Sequence, residues 1–92
     1  MSDQEQRQNA LFEQARRVKA RHEVKLLARP GVVGVGVGYR QRGGTPTDEI
    51  AIVVMVRKKR PPDELAPEEI LPSELEGVPL DVQEVGDITA QA

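Results

Sequence analysis

Two hydrophobic periods divide this chain. From residue 2 to 28, apolar positions recur every three or four residues at Leu11, Ala15, Val18, His22 and Leu26. That spacing predicts one helix with a single narrow apolar stripe. Ser2, with Glu5 three residues on, offers a capping box. Asp3 and Glu5 fall in the first turn and Lys25 and Arg29 near the end, as the helix dipole favours. Pro30 disfavours helix at Arg29, and Gly31 completes the stop. A helix of roughly 27 residues is ~40 Å long. A strand of seven to ten residues reaches only ~25–35 Å. The N-terminal third of the helix is therefore expected to overhang the domain, where it frays or meets a partner.

From residue 32 the period becomes two. Val33, Val35, Val37 and Tyr39 are expected on one side of a strand, with Gly34, Gly36 and Gly38 on the other. Residues 40–49, "RQRGGTPTDE", read as a turn-rich connection. Residues 50–56, "IAIVVMV", are apolar on both faces, as a covered central strand requires. The segment "PPDELAPEEILPSELEG" at 61–77 carries four prolines and excludes one long helix, although Pro67 can start a single turn through Leu71. Leu65, Ile70 and Leu75 would pin this segment to the sheet. Gly77 permits a sharp turn into a last strand at 78–85, which Pro79 marks as an edge strand.

The order α-β-β-(short α)-β defines an α+β fold. It is expected as a three-stranded, largely antiparallel sheet with the long helix on its glycine face, Gly34, Gly36, Gly38 and Ala51. The organisation is a helix at 1–30, partly overhanging, a small β-rich domain at 31–86, and a tail or cut end at 87–92. The opposite sheet face, Val33, Val35, Val37, Tyr39, Ile52 and Val54, also needs cover and is the candidate partner-facing surface.

Composition narrows this picture. Phe12 and Tyr39 are the only aromatics, so Val, Ile and Leu must build the core. With no cysteine, disulfides and thiolate zinc sites are excluded. The polar N-terminus lacks the apolar stretch of a secretory signal, and no segment reaches the ~20 apolar residues of a membrane span. A soluble, cytoplasmic chain is the expectation. All 13 Lys and Arg lie within residues 1–60 beside 6 acids, whereas residues 61–92 hold 9 acids and no base. Such segregation suits segments that fold against each other, or against neighbouring copies.

The candidate chemistry is sparse. "GVGVG" at 34–38 lacks the dinucleotide fingerprint's third spacing, and it follows a helix instead of preceding one. No Gly-Lys-Ser/Thr ending makes a phosphate loop. The glycines therefore read as a strand face that lets another backbone approach. His22 is the only histidine and lies on the helix stripe, so it reads as a packed, hydrogen-bonded residue. No cofactor, metal or small-molecule substrate is implied, and no nucleophile–base pair suggests an enzyme. Arg57, Lys58, Lys59 and Arg60 form the sharpest charge feature. They read as a charged exit from a buried strand or as contacts to phosphate or an acidic partner. Arg16, Arg17, Lys19 and Arg21 with this cluster would serve a nucleic-acid-binding module, the alternative to an interaction domain.

Residues 26–88 resemble the N-terminal region that precedes trypsin-like serine protease domains in some bacterial proteins. The resemblance rests on "GVVGVGVG" at 31–38, "IAIVVMVRKK" at 50–59 and "ILPSELEGVPLDVQEVG" at 70–86. In particular it rests on Leu71-Pro72, Gly77-Val78-Pro79 and Asp81-Val82. Together with the sheet face that needs cover, the expectation is a non-catalytic interaction domain that self-associates, or that docks on and regulates such a protease, through that face and the overhanging helix. A pro-region-like inhibitor or folding assistant is a further alternative.

Overall fold

The computed structural model describes residues 2–67 and 70–86. Helix α1 spans Asp3–Leu27. The Ser2 hydroxyl accepts the Glu5 N–H at 3.2 Å, which satisfies one of the helix's unpaired first-turn donors. Ala28 closes the helix, and Gly31 at φ +82° reverses the chain. Four strands follow: β1 Val32–Arg42, β2 Thr45–Val56, β3 Glu74–Leu75 and β4 Val78–Glu84. Their order across the sheet is β1-β2-β4-β3.

The class is α+β, but the sheet is four-stranded and mixed. β1 pairs antiparallel with β2 and β3 antiparallel with β4, whereas β2 and β4 run parallel. The Pro-rich segment carries the chain back to the sheet's starting end, so β4 must run the same way as β2. Its last residues add the two-residue strand β3. Pro79 does not make β4 an edge of β2's ladder, because that ladder starts one residue later at Leu80 opposite Ile52. The missing proline N–H therefore costs no β2 hydrogen bond.

The first hairpin is longer than its sequence suggests. Gly43 and Gly44, at φ +58° and +82°, make a two-residue turn of the I′ kind, and Arg42 pairs directly with Thr45. Thr47 Oγ1 donates to the Arg40 carbonyl at 2.7 Å and accepts the Glu49 N–H at 3.2 Å, bridging the irregular register that follows Tyr39. The turn expected from Pro67 has its closing bond, the Ile70 N–H donating to the Pro67 carbonyl at 3.3 Å. Residues 68 and 69 inside that turn lie outside the described residues, and a further 3-10 turn spans Pro62–Glu64. The tail expected at 87–92 lies outside them as well.

The largest correction concerns which face the helix covers. Register pairs Val35 with Val54, Val37 with Ile52 and Tyr39 with Ile50, so these residues share a face. Ala15, Val18 and Leu26 of α1 pack into one core with Ile50, Ile52, Val54, Val56, Val78 and Leu80, and Val35 and Val37 lie against it. Phe12 and Tyr39 close one end with a T-shaped ring contact at 5.6 Å. The valine face, read from sequence as partner-facing, is thus covered by the chain's own helix: Ile52 and Val54 are fully buried and Val35 and Val37 partly so, while Tyr39 stays exposed. Val33 leaves the alternation because a β-bulge lies between Val32 and Gly34. The reason is energetic. Covering aliphatic side chains removes far more apolar area from water than covering bare glycines would. Leu11, the first member of the predicted stripe, is 47 % exposed, whereas Phe12 packs against the core.

Candidate interaction surfaces

The glycine face is built by its neighbours on β2. Gly34 stands opposite Met55, Gly36 opposite Val53 and Gly38 opposite Ala51. A Cβ at Gly34 would lie 2.9 Å from Met55 Cε, and one at Gly36 would lie 3.9 Å from the same methyl. A Cβ at Gly38 would meet Val53 Cγ2 at 3.6 Å. Among the described residues, no helix atom comes within 4 Å of these positions. The glycines therefore make a trough for the Met55 and Val53 side chains, and the face beyond them carries no helix.

One end of that face is closed. Asp81 of β4 accepts the Gln41 N–H of β1 at 2.9 Å, although β2 lies between those strands. On the same face of β2, opposite Gly38, the small Ala51 side chain is completely buried. Gln83 Nε2 holds the same Asp81 oxygen at 2.8 Å. At the sheet's margin, no strand among the described residues pairs with the outer edge of β1. The regular run at residues 34–39 lies between the two register shifts of that strand.

On the helix side, a clasp joins α1 to the β3–β4 hairpin. Glu76 and Gly77, at φ +50° and +83°, form another two-residue turn of the I′ kind. The Glu76 carboxylate takes two parallel bonds from Arg21, Nε at 2.9 Å and Nη2 at 2.8 Å. His22 Nε2 lies 2.8 Å from the same carboxylate. The Arg21 bonds, and after them the His22 contact, hold the Glu76 pKa down at about 2. His22 is thus a hydrogen-bonded residue, and its partner is 54 positions away. No local signal in the sequence marks Glu76. The cations proposed for nucleic acid are partly committed to acids: Arg16 pairs with Glu13, Lys19 with Glu23 at 3.3 Å, and Arg21 with Glu76.

The basic residues at 57–60 border a cavity of about 400 Å³ just past the C-terminal end of α1. Val32, Val56 and Val82 of the sheet and Leu71 form its floor. Leu65 and Ile70 of the acidic, Pro-rich segment flank it, and Arg29 and Arg57–Arg60 line the mouth. The Arg29 guanidinium donates to the Ile70 carbonyl at 3.3 Å, tying the helix end to that segment. The Lys59 N–H donates to Glu84 at 2.8 Å. Among the described residues, no group of three or more His, Cys, Asp and Glu is arranged to hold a metal ion. None of the described helices is long and apolar enough to cross a membrane.

A small helix-on-sheet domain whose prominent features are an open strand edge and a basic, apolar cavity belongs to the class of compact α+β modules. Its family is given by residues 8–87, which match the NARROW LEAF 1 N-terminal domain; the chain belongs to that family. This is a plant family, which overturns the resemblance to a bacterial region preceding a trypsin-like protease, and with it the protease-associated reading. The residues that suggested the resemblance have architectural roles here. Gly77 makes a turn, Val78 and Leu80 enter the core, and Asp81 spans the sheet. Glycines, prolines and aliphatics in that order mark a turn entering a buried strand, a need that unrelated families share. No curated protein matches the chain.

Proposed function

We propose that this is a non-catalytic interaction domain that self-associates by pairing the outer edge of β1 with the same edge of a second copy. The observation that carries the reading is that unpaired edge. An open strand with regular alternation is a template for another strand. Antiparallel pairing about a two-fold axis near Gly36 sets Gly34 opposite the partner's Gly38 and Val35 opposite the partner's Val37. Glycine then meets glycine and valine meets valine, so both faces continue across the junction. The segregated charge favours a second copy over a nucleic acid, because each copy carries both a basic and an acidic half. His22 engaged by Glu76 and Ser2 engaged as a helix cap support a non-catalytic role.

The test is sedimentation velocity from low micromolar concentration upward, on the full chain and on Gly36→Lys. The lysine Cβ has room beside Met55, and in the dimer two such lysines face each other across the axis. A two-chain species that Gly36→Lys converts to one chain, with an unchanged circular dichroism spectrum, supports the reading. A single-chain species at every concentration refutes it.

A further inference from the structure

The cavity past the helix end is unlike the rest of the surface. Its floor is aliphatic, with Val56, Leu71 and Val82 at partial or full burial, and its mouth is lined by cations. We propose that it is a docking site for an acidic peptide segment of a partner protein, one that places an aliphatic side chain on the floor and carboxylates at Lys58 and Lys59.

Three observations select that occupant. The volume, about 400 Å³, is at the low end of small-ligand sites and suits one or two aliphatic side chains. Neither of the chain's two aromatics, Phe12 and Tyr39, lines the cavity, so it lacks the stacking platform that a nucleobase uses. The charge at the mouth is all of one sign among the described lining residues. The helix C-terminus contributes roughly half a negative charge there and the Glu84 carboxylate on the Lys59 N–H one more, and two full lysine charges exceed their sum. The chain also shows this chemistry packing at the site. Leu65, Ile70 and Leu71 come from its own acidic segment, which carries no base from residue 61 onward. A partner segment of the same acidic–aliphatic kind extends a contact that the fold already makes. The site is separate from the β1 edge, so Gly36→Lys leaves it intact and the two proposals fail independently.

The experiment titrates the full chain at low salt with an acetylated hexapeptide of two leucines flanked by glutamates, read by chemical-shift changes at Val56, Lys59 and Val82. Two control peptides replace glutamate by glutamine and leucine by serine. The expected result is saturable 1:1 binding that falls at least about tenfold with either control and with the Lys58→Glu/Lys59→Glu double variant. Both lysines are exposed, so the variant is expected to keep the wild-type circular dichroism spectrum. Binding that ignores the leucine-to-serine change would reduce the site to surface electrostatics and overturn the proposal. Absence of saturable binding would overturn it too. Decanoate serves as a further probe: if it binds at these residues while the peptide does not, the occupant is a small amphiphile and the peptide assignment falls.

Discussion

The two faces of the sheet are made by the same strands, and residues one position apart meet opposite fates. On one face Ile52 and Val54 are fully buried beneath α1. On the other, Met55 and Val53 lie over Gly34 and Gly38 without a helix above them. The covered face supplies stability through removed apolar area. The uncovered face and its edge keep a surface that a single chain does not consume. Ala51 sits between these regimes, on the glycine face yet completely buried.

Substitutions test that contrast in order of size. Ile52→Ala empties the centre of the helix-covered core and is expected to cost about 2–5 kcal/mol, read from the urea midpoint. A cost below that of an exposed site would mean that α1 does not seal this face. Ala51→Val overfills a completely buried site on the glycine face, with an expected loss of about 1–3 kcal/mol by the same measurement. Gly36→Ala, a similar enlargement on the open part of the same face, is expected to reverse the sign. Its Cβ meets one methyl at 3.9 Å and the backbone is not in the left-handed region, so relief of glycine's entropy gives about 0.5–1 kcal/mol of stabilisation.

The smallest effect belongs to the clasp between helix and hairpin. The Glu76 pKa is depressed to about 2 in the folded chain from an ordinary value near 4.5. Its contribution is present above the unfolded value and is lost as pH falls from about 4.5 through about 2. Because the carboxylate is solvent-accessible, the slope of stability against pH is expected to be shallow. Glu76→Gln should flatten it, and carboxyl-carbon NMR titration of Glu76 gives the direct check.

Much of the architecture was legible locally. Ser2 and Glu5 marked the helix start, Pro30 and Gly31 its end, and the doubly apolar run at 50–56 a central strand. The mixed topology was not, because the direction of β4 depends on where a Pro-rich segment returns the chain. Val33 was misplaced because a bulge shifts alternation by one residue without a sequence signature of its own. Of the candidate site, residues 57–60 were visible as charge, whereas the cavity beside them gathers residues from 29 to 82. The Arg21–His22–Glu76 clasp was invisible for the same reason.

Periodicity alone established that this chain has one long amphipathic helix and a strand with two unlike faces, because side-chain direction follows from backbone geometry within a few residues. Which face the helix would take was settled by non-local packing. The stripe of Ala15, Val18 and Leu26 gains more by covering the aliphatic face assembled from three strands than by covering glycines already filled by Met55 and Val53.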